Sequence, residues 1–389
     1  MYVREAGSAG WRIPTCTRGF DGVYMGKKHK VYFEPVGKEI EVDEDETVLD
    51  AAFRQGVMLM HGCKEGQCSA CKSFLLDGDL EMDNYSTFAL NETESDEGFV
   101  LLCRSHAYSD LEVELLSFRE EMLDQGIPIQ LVYTEVEEIE SLTHDIKRLA
   151  LKLVDPPEMT FISGQYAELY IPGTDTHRAY SMANTTEGDK RAEFIIKVYP
   201  GGRFSSLLKD GEDGLSVGDR MAMKVPFGMF TLREKSEGDI VFIGGGSGMA
   251  PILSIIKHMA EKGIQRGATY YYGARTAKDL FYLDEMKEIE EKLPGFKFVP
   301  ALSDPDPEDG WEGETGLITD VVQRLEGDLS NAEAYLAGPP PMIDSAIPVL
   351  VMKGLAEESV YYDKFTTTGE AEGTETKEES GPDFSGRAG

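Results

Sequence analysis

The stretch 61–73, HGCKEGQCSACKS, puts three of the chain's five cysteines within nine residues, and a fourth follows in VLLCRSH (100–106). The spacing is Cys63-x4-Cys68-x2-Cys71, with Cys103 far downstream. A cluster of this kind can hold zinc, form disulfides, work as a redox dithiol, or hold a centre that carries electrons. A zinc site normally uses two paired C-x2-C knuckles, whereas here one such pair stands beside two isolated cysteines. A thioredoxin-like dithiol opens a helix, but Lys72-Ser-Phe-Leu-Leu continues as a strand. A Rieske centre would use Cys103-Arg-Ser-His106 and His61, yet it would leave Cys68 and Cys71 idle. His61 and His106 therefore read as ordinary loop residues, and Cys16 as a bystander.

The spacing suits four thiolates converging on two irons, three of them from one tightly wound loop. Gly62, Gly66, Ser69 and Ala70 are small enough to bring backbone close to inorganic sulfur, where N–H groups can tune the potential. Residues 30–116 resemble a plant-type ferredoxin domain: a hairpin, a helix, the CKEGQCSACK loop, then FVLLCRSHAYSDLEVEL. The resemblance implies that Cys63, Cys68, Cys71 and Cys103 ligate a 2Fe-2S cluster.

A chain of 389 residues predicts two to three domains, each with its own core. No apolar run is long enough to span a membrane. The start, MYVREAGSAGWRIPTCTRG, lacks the apolar segment of a secretory signal. Five cysteines are too sparse for a secreted disulfide scaffold. We expect a cytoplasmic monomer. The net charge of −33 repels nucleic acid and anionic membranes. It either steers a partner with a basic face or simply keeps the protein soluble.

Residues 1–27 read as an extension, and Met25 is an alternative start. KVYFEPV and KEIEVDE read as a hairpin, and TVLDAAFRQGV as a helix opening at Thr47. Residues 28–118 form the first expected domain and 119–128 a linker. Strand-like segments from 129 to 236, from IQLVYTEVEEI to DRMAMKVP, predict an antiparallel barrel. From 237 to 365 strands alternate with helices, which predicts a parallel sheet covered on both faces. The acidic stretch 366–389 reads as a disordered tail. The fold class is thus multidomain, α+β and α/β: a domain that resembles a β-grasp ferredoxin, an antiparallel β-barrel domain and a parallel-sheet α/β domain.

HRAYSMAN (177–184) precedes GGRFSSLL (201–208). A flavin needs a cation for its pyrophosphate, a flat face for its ring and a hydrogen-bond partner at N5; Arg178, Tyr180 and Ser181 offer these within four residues. On a strand, Arg178 and Tyr180 share a face, while Ser181 points the other way or marks the strand's end. Gly201, Gly202, Ser205 and Ser206 suit backbone and hydroxyl contacts with phosphate. Read alone, each piece is equally an ordinary strand and turn. Their order, with VGDRMAMKVPFGMF downstream, resembles the ferredoxin–NADP reductase superfamily, which implies FAD.

GGGSGMAP (244–251) lies between an apolar strand and a helix. Gly244, Gly245, Gly246, Ser247 and Gly248 would let backbone approach a pyrophosphate at a helix N-terminus. The Rossmann pattern G-x-G-x-x-G fails at Met249. The loop instead resembles the superfamily's G-G-G-[ST]-G-x-[AT]-P, with YGAR and AGPPPM (337–342) in family order, which adds Arg275, Gly338 and Pro339 to the nicotinamide site. Many members carry cysteine where Ala337 stands, so the hydride step lacks that thiol contact. Ser303-Asp304-Pro-Asp306-Pro-Glu308-Asp309 occupies the place where relatives grip a 2′-phosphate, and its acids favour NADH. Phe365, in YYDKF (361–365), is placed near the flavin ring by the resemblance, and is equally a core strand residue.

NADH gives up two electrons as a hydride, a 2Fe-2S cluster accepts one, and FAD bridges the two. Residues 30–365 are identified as resembling the NADH reductase component of a multicomponent oxygenase. The motif details resemble reductases of soluble di-iron monooxygenases of the propane, alkene and methane type. This implies an oxidoreductase with NADH, FAD and a 2Fe-2S cluster, Tyr180, Ser181 and Phe365 at the flavin, and a di-iron hydroxylase as acceptor. A reductase for a Rieske ring-hydroxylating dioxygenase is the alternative, and a zinc-binding adaptor is the rival from another class.

Overall fold

The computed structural model describes residues 26–365 apart from 63, 65, 119–122, 124–126, 175, 187–189, 210 and 212–213. Cys63, Cys16, the expected tail and most of the expected extension and linker lie outside the described residues.

In the first unit, β1 (Lys28–Glu34) and β2 (Lys38–Asp43) form the expected antiparallel hairpin. Val31, Phe33, Ile40 and Val42 are buried at the strand period of two. Thr47 caps α1 (Val48–Arg54), its Oγ1 accepting from the Asp50 amide. The chain continues through β3 (Lys72–Asp77), β4 (Leu80–Met82), α2 (Glu92–Glu97), β5 (Phe99–Leu101), β6 (Ser105–Ala107) and β7 (Leu111–Glu114). The sheet order is β2-β1-β7-β3-β5, with β1 and β7 parallel at its centre. With α1 packed on one face, this is the β-grasp arrangement.

The second unit contains β8 (Gln130–Ser141), β9 (Ile146–Asp155), β10 (Tyr166–Tyr170), β11 (His177–Ser181), β12 (Arg191–Lys197) and β13 (Arg220–Phe227). They form an antiparallel sheet in the order β11-β10-β13-β8-β9-β12. A bridge from Met182 to Phe194 joins its two edges, nearly closing a barrel around Leu149, Leu151, Phe194 and Met223. Closure removes the exposed edges that would otherwise template aggregation.

The third unit alternates as expected: β14 (Asp239–Gly245), α3 (Met249–Lys262), β15 (Ala268–Ala274), α4 (Leu283–Lys292), β16 (Phe296–Leu302), β17 (Glu314–Thr315), α5 (Ile318–Leu325), β18 (Ala332–Gly338), α6 (Pro340–Met352) and β19 (Val360–Lys364). The short β17 has no apolar pattern and is recruited by pairing with β16. The parallel order is β17-β16-β15-β14-β18-β19. Along β14 successive residues serve opposite layers: Ile240 and Phe242 pack with α3 and α4, Val241 and Ile243 with α5 and α6. The strand order reverses between β14 and β18, and open α/β sheets bind ligands beyond the carboxyl ends of strands at such a switch point.

The barrel also reaches into the first unit. Phe227, at the end of β13, is 2% exposed and belongs to the core that contains Val31 and Phe53.

Candidate functional site

The loop 61–71 is wound tightly. Lys64 and Ser69 take positive φ (59° and 51°), two of three such non-glycine residues among those described, at a cost of about 1 kcal/mol each. A Cβ on Gly62 would stand 2.9 Å from Cys68 Sγ, so only glycine lets the chain pass that thiol. Ser69 Oγ donates to the Ala89 carbonyl, and the Ser86 amide to Gly66, fastening the loop to residues 85–90. The Leu102 amide donates to the Cys71 carbonyl, which brings Cys103 to the end of the loop. Cys71 and Cys103 are buried and Cys68 is exposed. Three thiols on small-residue backbone, one at the surface, fit an iron–sulfur cluster with an exposed edge.

Of the two histidines near this loop, His61 lies in the loop as expected and His106 does not. His106 lies on β6, tied to the Glu44 carbonyl (3.1 Å) and Asp83 (3.3 Å). His61 packs edge-on against Phe53 at 4.7 Å, and its Nδ1 donates to the Leu59 carbonyl. Burial holds its pKa down to about 4, so the ring is neutral. Its Nε2 is buried with no protein partner among the described residues. Strand pairing drew His106 out of the loop that spacing alone suggested, while His61 keeps its loop position with its ring packed inward.

On β11 Arg178 and Tyr180 are both half-buried, as sharing a face requires, whereas Ala179 is exposed and Ser181, at the strand's end, is buried. Tyr180 packs against Phe204, ring centroids 5.2 Å apart, and burial raises its pKa. Arg178 is half-buried, and Ser181 points inward, 6% exposed. Gly201 takes φ +75°. Ser205 is committed to the turn itself, its Oγ accepting from the Tyr199 amide at 3.2 Å; a Cβ on Gly202 would lie 2.3 Å from that oxygen. Ser206 is the second residue of the 3-10 turn Ser205–Leu208, half-buried. Arg178, Tyr180 and the Gly-Gly turn fit a dinucleotide's phosphates and ring.

At the switch point, Gly246 takes φ +55° and begins a 3-10 turn that leads into α3. A Cβ on Gly248 would meet the Ala337 carbonyl oxygen at 2.1 Å, so the two loops touch through backbone. Gly244 pairs with Ala337 in register, and Gly338 with φ +142° lies against Gly245. Pro339 caps α6, and the Phe365 amide donates to the Gly338 carbonyl at 2.9 Å. The glycine cradle, with Ser247 half-buried at its mouth, fits a pyrophosphate at a helix N-terminus. Arg275 is exposed, and its carbonyl accepts from the Asp304 amide, so the acidic stretch folds directly beside it.

Three residues that sequence motifs passed over join these sites. Ser181 Oγ donates to Asp363 on β19, 182 positions away. Burial pushes the Asp363 carboxyl up to about 6, against the lowering effect of Ser181. Lys64, in the cysteine loop, pairs with Glu168 on β10. In the β10–β11 register Glu168 stands opposite Ala179, between Arg178 and Tyr180. An acid inside the strand YYDKF was the one available signal for Asp363.

Three family models match the chain: the 2Fe-2S iron-sulfur cluster binding domain over residues 31–108, the oxidoreductase FAD-binding domain over 133–232, and the oxidoreductase NAD-binding domain over 242–347. The propane 2-monooxygenase reductase component of Rhodococcus jostii (strain RHA1) is 54% identical over 88% of this chain and 93% of its own length. The phenol 2-monooxygenase reductase component of Pseudomonas sp. (strain CF600) is 34% identical over 90% and 98%. Among solved structures, the Amycolatopsis cytochrome P450 reductase matches with a TM-score of 0.77 at 31% identity, covering 87% of this chain and 99% of its own.

Proposed function

The chain belongs to the ferredoxin–NADP reductase-type family of monooxygenase reductase components, and from that premise we propose which of its residues hold each cofactor and which oxygenase it serves. It is an oxidoreductase that takes electrons from a nicotinamide and passes them to a hydroxylase. When bound, FAD accepts a hydride and delivers electrons singly to the 2Fe-2S cluster. The acceptor is a di-iron hydroxylase, in keeping with the 54% identity to a propane 2-monooxygenase reductase component. We take the protein to be a cytoplasmic monomer; no helix among the described residues is long and apolar enough to cross a membrane.

The observation that carries this reading is contiguity. Ser181 on β11 bonds Asp363 from the nicotinamide sheet, while the neighbouring strand β10 is held by Lys64 of the cysteine loop. One edge of the barrel therefore lies within reach of both other sites.

Cys63, Cys68, Cys71 and Cys103 hold the cluster. Arg178 neutralises the flavin pyrophosphate together with the Gly201 amide and the Ser206 hydroxyl, the Gly202 and Ser206 amides being spent on the turn itself, and Tyr180 covers the ring. Ser181 donates its hydroxyl hydrogen bond to Asp363, which leaves its oxygen free to accept one. A carboxyl that titrates near 6 can take or return a proton through that hydroxyl at neutral pH. Gly244 to Gly248, Gly338 and Pro339 seat the nicotinamide pyrophosphate, with Arg275 and Phe365 at the rim. Asp304, Asp306, Glu308 and Asp309 repel a 2′-phosphate, which selects NADH.

The test is anaerobic mixing of the purified iron- and flavin-loaded protein with NADH and either a di-iron hydroxylase or a Rieske dioxygenase. Electron delivery to the hydroxylase supports the reading. Delivery only to the dioxygenase replaces the acceptor, and a protein that purifies colourless with bound zinc and no flavin ends the reading before any mixing.

A further inference from the structure

The seam between the cysteine loop and the barrel is built on aromatic contact. Phe53 of α1 meets Phe227 at 5.9 Å, and Phe227 stacks on Tyr166 at 5.5 Å. The Ile129 amide donates to the Phe53 carbonyl beside it. Such a seam supplies adhesion without direction, because apolar burial is indifferent to small rotations.

Above this seam sits an ion pair. Lys64 projects from the loop, lies 3.6 Å from the Phe227 ring centroid and pairs with Glu168. Their side chains are 17% and 6% exposed, so solvent screens the pair weakly. Glu168 also faces His177 at 3.6 Å and stands opposite Lys224 in the β10–β13 register. A pair this buried contributes little net stability over apolar packing, and its attested use is to select one register. The register selected here matters: Lys64 lies between two cluster ligands in sequence, and Glu168 is one strand, about 4.8 Å, from the flavin segment.

We propose that Lys64 and Glu168 are positioning residues whose ion pair orients the cysteine loop toward the flavin strand and so sets the rate of electron transfer between the two cofactors. The inference rests on the cofactor sites assigned above. Each crossing removes one electron from reduced FAD and adds one to the cluster. NADH supplies the electron pair, flavin protons leave to solvent, and the oxygenase component reoxidises the cluster. Nothing in the pair itself is consumed.

The experiment compares wild-type holoenzyme with Lys64→Met, Glu168→Gln and the double variant. Rapid mixing with NADH follows flavin and cluster bleaching separately, solution X-ray scattering reports domain separation, and the cluster's EPR spectrum checks that the loop is intact. Flavin bleaching should keep its rate, while cluster bleaching slows about tenfold, the loss of a contact worth about 1.4 kcal/mol. The double variant should be no slower than either single, and the scattering radius should grow. Lys64→Glu combined with Glu168→Lys should recover part of the rate. If Lys64→Met loads no cluster, Glu168→Gln decides, since it leaves the cysteine loop unaltered. Wild-type rate and radius in Glu168→Gln would overturn the ion pair's role alone. A wild-type protein whose cluster never bleaches with NADH overturns the assigned sites and this inference with them.

Discussion

Ser181 and Asp363 stand 182 residues apart in the chain and 3.2 Å apart in the fold, joining the flavin segment to the last strand of the nicotinamide sheet. The bond makes the relation of those two units part of the site's chemistry, because the carboxyl that orients the hydroxyl belongs to the other unit.

Asp363 carries a pH signature. Unfolded, its carboxyl titrates near 3.9; folded, burial raises it to about 6. Between those values the folded chain binds more protons, so this contribution is complete below about pH 4 and fades as pH rises to about 6. The loss is on the order of 3 kcal/mol. Asp363→Asn should flatten that fall in urea-unfolding midpoints measured from pH 4 to 7. An unchanged slope would show that the group titrates normally.

Cys103 reaches the cluster site through the Cys71–Leu102 backbone bond. Cys103→Ser should lose iron and the long-wavelength absorption of the cluster. It should retain NADH-driven reduction of ferricyanide, which needs only the flavin. Full iron content in the variant would remove Cys103 from the ligand set.

Asp304 lies beside Arg275 at the edge of the nicotinamide site. Asp304→Arg replaces repulsion with attraction for a 2′-phosphate. The NADH/NADPH ratio of kcat/KM should fall about tenfold or more. Equal kcat/KM for the two coenzymes in the wild-type protein would refute the charge argument at once.

Gly248 passes the Ala337 carbonyl so closely that a methyl has no room. Gly248→Ala should lower the melting temperature, at a cost of about 1–3 kcal/mol, and raise the KM for NADH. Gly263→Ala, where nothing lies within 4 Å of the added carbon, should leave the KM for NADH alone and cost only the strain of its φ of +66°.

Phe88 is 96% exposed on the segment that fastens the cysteine loop, with the acidic helix α2 following it. An aromatic ring so placed is suited to anchor a partner with a basic rim. Phe88→Ser should leave reduction of the protein's own cluster intact while raising the KM for the hydroxylase about tenfold. An unaltered KM would move the docking surface elsewhere.

Local chemistry was legible wherever a cofactor imposes residue types at short spacing. Cys63-x4-Cys68-x2-Cys71, R-A-Y-S and G-G-G-S-G are short motifs of this kind, and their order along the chain identified three modules, while the alternation of strand and helix identified the parallel sheet. Thr47 announced α1 for the same reason, since a cap acts within three residues. Tertiary structure alone decided the partners of Lys64, Glu168 and Asp363, and the packing of the His61 and His106 rings. Lys64 looked like one surface lysine among many, and Asp363 like one acid in a chain of net charge −33. What singled them out was burial beside a partner 104 or 182 positions away. That is a property of how barrel, sheet and cysteine loop pack together, and no local pattern encodes it.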